Sequence, residues 1–209
     1  MLISDNILAV FFFASILLAL TPGPDNIFVL TQAAIRGRLA GWVITLGLCT
    51  GLIGHTFAVA SGVAVIFQVS RIAFIALKLA SAAYLLYLAY RAIRASAAKL
   101  SLSDDGLTSF FQLYRQGIIM NVTNPKVSIF FLSFLPQFTE PSRGFLMLQL
   151  LILGFVFIAS SMMVFGIISI FAGLLGDRLQ RSSILQTIMH RIAATVYAIL
   201  AIKLATTEI

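Results

Sequence analysis

Charge is what this chain most lacks. Only 10% of its 209 residues are Asp, Glu, Lys or Arg, whereas a soluble domain carries about 25%. That is too little charge to solvate the surface of a water-borne fold. Cysteine is almost missing as well: Cys49 stands alone, which excludes an internal disulfide. The two histidines, His55 and His190, are far apart in the chain, and with a single cysteine they assemble no plausible metal site. There is no GxxxxGK[ST] phosphate loop and no GxSxG elbow, so nothing supports nucleotide hydrolysis or a serine hydrolase. The expectation is a protein that is not an enzyme and holds neither metal nor cofactor.

What is present is apolar. Hydrophobic residues make up 60% of the chain and the mean hydropathy is +1.05, which predicts an integral membrane protein embedded in a lipid bilayer. A span needs about 20 apolar residues, and six runs qualify: roughly 7–34, 41–67, 72–90, 112–138, 145–171 and 188–204. Each should be helical, because lipid offers no partner to an unpaired backbone group. The first run carries Asp5 ahead of it and ends in TPGP, unlike a cleaved signal peptide. The loops between runs are too short for a soluble domain. The longest, about 91–111, reads as a cytosolic linker.

The excess of Lys and Arg gives a formal net charge of +7. Its distribution points to membrane topology and not to nucleic acid. Arg36 and Arg38 follow run one; Arg91, Arg94, Lys99 and Arg115 separate runs three and four; Arg178, Arg181 and Arg191 separate runs five and six. The alternate loops hold mainly Arg71 and Arg143, with Lys78 and Lys203 near run ends. Basic loops stay inside, so those first three loops are predicted cytoplasmic and both termini non-cytoplasmic.

Two apolar runs are interrupted. TPGPDN at 21–26 breaks the first, and NVTNPK at 121–126 breaks the fourth. Pro22 and Pro24 each lack an N–H and disfavour helix in the residue before them, while Gly23 tolerates unusual dihedrals. In the second break, Asn124 and Pro125 suit an N-cap followed by the first helical residue. Freed backbone at membrane depth is tolerated only inside protein or beside a water-filled cavity. Run one opens the first three runs and run four the second three. The fold predicted is therefore all-α, one transmembrane domain over 1–209, with two inverted three-helix repeats at about 1–95 and 110–209. Paired broken helices at corresponding positions mark the midplane site of a transporter.

The same residues carry a family resemblance. TPGPDN, the glycine-rich second run with His55, LKLASAAYLLYLAYRAIR at 77–94 and the N-x-x-NPK-x-x-x-FF-x-x-FLPQF pattern of 121–138 resemble the LysE superfamily of amino-acid exporters. The nearest likeness is to its homoserine/threonine-resistance (RhtB) branch. Ser81 and Ala89 are small-for-small departures from that branch. The resemblance implies efflux of amino acids driven by the proton gradient, from the cytoplasm across a bacterial inner membrane.

Of the seven acidic residues, only Asp25 lies deep within a predicted span. Burying an ionisable group there costs about 2.5–3.5 kcal/mol, so Asp25 is expected to handle substrate or protons, or to form a structural ion pair with Lys126. Lys126 sits just after the Pro125 restart, where the helix dipole disfavours a cation and a neighbouring anion would relieve the conflict. The expected substrate is a zwitterion whose carboxylate meets Lys126 and the restarted helix and whose ammonium meets Asp25. That matches a small neutral amino acid better than a basic one. Asn26, Asn121 and Asn124 either complete such a site or cap the broken helices. Gly47, Gly51, Gly54, His55, Ala58 and Gly62 share one face of run two, expected to pack closely and to leave a homodimer open. His55 on that face is a proton-relay candidate with Asp25, or a packing residue. Tyr84, Tyr87 and Tyr90 read as interface anchors, His190 as a solvated boundary residue, and the phenylalanines as lipid-facing and packing surface.

Overall fold

The computed structural model describes residues 2–69, 71–94, 109–181 and 183–206. Among these, all regular structure is helical. Helix α1 (Asp5–Leu20) and α2 (Pro24–Arg36) form the first, broken unit, bent by 62° at residues 21–23. Helices α3 (Arg38–Val69) and α4 (Arg71–Arg94) follow. The second broken unit is α5 (Phe110–Thr123) and α6 (Pro125–Ile129), bent by 51° at Asn124, and it leads to α7 (Leu146–Arg181) and α8 (Ser183–Thr206). Among the described residues, 38–62 and 146–172 are long and apolar enough to cross a membrane, and the two bent pairs bring the number to four if each is one span. The predicted runs 72–90 and 188–204 coincide with α4 and α8, where several side chains, those of Lys78, His190 and Lys203 among them, lie outside the described residues. So does most of the predicted linker, 95–108.

Helix α3 is central, packed against α7 and α5, while α4 packs along α8. The crossing of α3 with α5 is close because both helices lack side chains there. A Cβ on Gly47 would stand 2.2 Å from the Tyr114 carbonyl, and one on Gly117 would stand 2.6 Å from the Ile44 carbonyl. Packing in lipid favours such small-residue contacts. The predicted glycine face, however, packs only in part: Gly54 and Gly62 have nothing within reach of a Cβ.

Below the second break, the chain departs from simple helix. Residues 130–134 widen to a π-helix and 135–138 tighten to 3-10. Pro136 explains the change: it brings no N–H and clashes with a carbonyl four residues back, and the Leu135 N–H reaches the Phe130 carbonyl instead. Phe130, Phe131, Phe134 and Phe138 cluster with Phe11 and Phe157, with centroids 4.9–6.3 Å apart. This aromatic core ties α1, the second broken unit and α7 together, and so fixes the two breaks relative to each other. Many phenylalanines are thus core residues, while Phe13, Phe57 and Phe155 are exposed.

Candidate functional site

The two breaks meet. Thr21 and Gly23 are extended, at φ −61°, ψ 120° and φ −162°, ψ 178°, as residues before proline prefer. The break leaves the last carbonyls of α1 without helical donors. Side chains supply them. The Asn26 Nδ2 donates to the Ala19 carbonyl at 2.6 Å. The Lys126 Nζ donates to the carbonyls of Leu18 at 3.0 Å and Thr21 at 2.9 Å. The ammonium therefore sits at the carbonyl end of α1, where the helix dipole favours a cation, although the Lys126 backbone stands at the start of α6. No ion pair joins Lys126 to Asp25, contrary to one of the two sequence expectations. The conflict with the α6 dipole is relieved by reach across the interface instead. The Lys126 ammonium also lies 5.8 Å from the ring centroid of Tyr197 and beside Gly23, where an added Cβ would make ordinary contact with Nζ at 3.6 Å.

The second break is capped as its sequence suggests. Asn124 is the N-cap, its side chain accepting from the Lys126 N–H at 3.0 Å, with Pro125 at the first helical position. Asn121 is pressed against α3 where only glycine fits, since a Cβ on Gly51 would stand 2.6 Å from its Oδ1. Asp25 is 5% exposed. The Lys126 charge and the amides of Asn121 and Asn124 act on its carboxylate, but its Oδ1 has no hydrogen-bond partner, nor has the Oδ1 of Asn121. Buried acceptors left open in this way are rare in stable cores and are suited to receiving a donor.

Asp25, Asn26, Asn121 and Lys126 line one cavity together with Ser161 and Phe165 of α7. Its volume is about 20 Å³, room for roughly one water. A larger vestibule of about 340 Å³ also adjoins the breaks, lined by Pro22, Gly23, Pro24, Asn124, Pro125 and Lys126 together with Tyr84, Arg91 and Tyr197. Among the described residues, Lys126 is the one charged side chain that lines both. Every residue singled out at the breaks thus adjoins one or both cavities. His55 adjoins them at one remove: its Nε2 is 3.4 Å from the Asn121 carbonyl oxygen and its ring lies against Phe131, 5.7 Å between centroids.

Four polar lining residues escaped the sequence reading. Arg91 counts there only as a basic loop residue, Tyr84 only as an interface anchor, and Tyr197 and Ser161 carry no motif. The spacing of Tyr84, Leu88 and Arg91, four and three residues apart, does place all three on one helical face and was the available signal. Tyr87 and Tyr90 are half exposed, with the guanidiniums of Arg91 and Arg94 over their rings at 5.9 and 4.9 Å.

Comparison with known proteins places this geometry in context. The profile of the LysE type translocators matches residues 16–208. A homoserine/homoserine lactone efflux protein of Salmonella typhi is 37% identical over 151 residues, 72% of each chain. A leucine efflux protein of the same organism is 28% identical over 134 residues, 62% of this chain and 63% of the relative. An uncharacterized membrane protein of Vibrio cholerae is 26% identical over 195 residues, 93% of this chain and 94% of the relative. No solved structure matches.

Proposed function

Because this chain belongs to the LysE type translocators, we propose that it is a proton-coupled secondary transporter. It exports small neutral amino acids or related metabolites, threonine or homoserine among them, from the bacterial cytoplasm. The observation that carries the proposal is the junction of the breaks, where Lys126 bonds the carbonyl end of α1 beside an Asp25 with an open acceptor. In the inner membrane the chain crosses six times as two inverted repeats, each a broken helix followed by two long ones. Arg36, Arg38, Arg91, Arg94 and Arg115 face the cytoplasm, as the positive-inside rule requires.

The chemistry follows from the charges. A substrate carboxylate competes with the carbonyls of Leu18 and Thr21 for the Lys126 ammonium, and the substrate ammonium takes the open oxygen of Asp25. Loss of the Lys126 cap frees the end of α1, so binding is coupled to the angle between α1 and α2. After release, a proton on Asp25 replaces the substrate ammonium, and the proton gradient is the energy source, with no cofactor. A basic amino acid brings a second cation, and among the described residues no acid other than Asp25 lines either cavity. Leaving that cation unpaired is costly. A passive channel needs an open path, whereas the space at Asp25 holds about one water, which favours alternating access.

The test is efflux from proteoliposomes loaded with radiolabelled threonine, homoserine, leucine or lysine at equal concentration, with and without a pH gradient. The neutral substrates should leave faster than lysine, an imposed gradient should accelerate them, and Asp25→Asn should abolish the movement. Gradient-independent efflux would refute proton coupling; lysine leaving fastest would refute charge matching.

A further inference from the structure

The vestibule has a charge character that the Asp25 cavity does not share. Arg91 reaches it from α4 and Lys126 from α6, with Tyr84 and Tyr197 beside them, and among the described residues no Asp or Glu lines it. Its volume of about 340 Å³ lies in the range of small-molecule sites, roughly 300–1,000 Å³. The Arg91 guanidinium rests over the Tyr87 ring at 5.9 Å, and no salt bridge to it appears among the described residues. Arginine presents a planar fork that fits a carboxylate bidentately, while lysine acts as a compact point charge. Two cations and two phenols make an anion receptor.

We propose that this vestibule is a separate binding station for the free carboxylate of the substrate. Arg91 is its recognition residue, and the station is occupied before the substrate reaches Asp25. The inference rests on the exporter reading and names its substrate class: molecules that keep a carboxylate, and not their lactones, esters or amides. A zwitterion entering the vestibule is oriented carboxylate first, because the described lining offers its ammonium two cations and no acid. Lys126 lines both spaces, so it can hold the carboxylate while the ammonium passes on to Asp25. A lactone or amide keeps only the ammonium and meets two like charges. In this respect the chain differs from what the name of its Salmonella typhi relative says of that protein, which takes both homoserine and its lactone.

Binding separates this claim from transport. The full chain in lipid nanodiscs is titrated calorimetrically with threonine, homoserine, threonine amide and homoserine lactone. The wild type should bind the two acids at least about tenfold more tightly than the two neutralised forms, the scale of one charge-assisted contact. Arg91→Gln should remove most of that preference by weakening the acids alone, and Arg91→Lys should keep part of it. Arg94→Gln changes the same net charge one turn away but lies outside the vestibule, and should leave the preference intact. Equal binding of acid and amide by the wild type would overturn the proposal, as would no binding of either. So would an Arg94→Gln loss as large as that of Arg91→Gln. Selective binding without efflux would refute the exporter function and leave the station standing. Efflux of threonine amide at the rate of threonine would do the reverse.

Discussion

Replacing Lys126 with methionine keeps the stem and removes the ammonium, which isolates its work at the end of α1. Two acceptors lose a donor, the carbonyls of Leu18 and Thr21. They do not lose equally. The Leu18 carbonyl still accepts from the Thr21 N–H at 3.2 Å, whereas Thr21 is 1% exposed and its carbonyl has no other donor among the described contacts. A hydrogen bond to a charged group contributes about 1.5–3 kcal/mol. One full loss and one partial loss then come to about 2–4 kcal/mol, reduced by whatever the buried ammonium cost in desolvation. For a chain of this size, 1 kcal/mol moves the melting point by about 2–4 °C, so a fall of roughly 4–16 °C is expected. Far-UV circular dichroism of the protein in a mild detergent reads it. The decisive comparison is the double variant Asp25→Asn/Lys126→Met. If the ammonium acts mainly by balancing the Asp25 charge, neutralising both restores wild-type stability. If it acts by capping α1, the double variant stays destabilised by most of the single-variant amount. Full restoration would refute the capping argument.

Three further outcomes are expected. Gly51→Ala should destabilise the chain by about 1–3 kcal/mol through overpacking, because the new Cβ would meet the Asn121 Oδ1 at 2.6 Å; Asn121→Ala in the same chain should return the stability but not the transport, seen by melting and efflux together. Glu140 lies in the loop before α7, accepting from the Ser4 N–H at 2.7 Å and from Arg143 Nε at 2.9 Å, and the Ser4 N–H first, then the Arg143 charge, hold its carboxyl below the ordinary value. A depressed carboxylate contributes stability that is present above its unfolded value, about 4.3, and lost as pH falls through the folded value, so Glu140→Gln should be less stable than wild type at pH 7 and equal to it at pH 3; a gap unchanged between the two would refute the assignment. In a Cys49→Ser background, a membrane-impermeant thiol reagent outside the cell should label a cysteine at position 2 and not at 37, and external labelling at 37 would reverse the topology.

The sequence by itself determined the solvent, the class and the two places where the helices fail. Those properties are local: scarcity of charge, run length and the chemistry of Pro22, Pro24, Asn124 and Pro125 act on the backbone within a few residues. It also singled out Asp25, because a carboxylate deep in an apolar run has few explanations. Where the Lys126 ammonium goes was not legible, since its acceptors are backbone carbonyls more than a hundred residues away and every residue type has a carbonyl. The π-helix below the second break depends on Pro136, but the phenylalanine core of α1 and α7 decides which side chains it carries inward. Tyr197 and Ser161 gained their place only when α7 and α8 closed over the breaks. Arg91 shows the division most clearly. One residue serves as a basic loop charge and lines a cavity, and sequence order reveals only the first, because the cavity wall is assembled from four helices that meet in space.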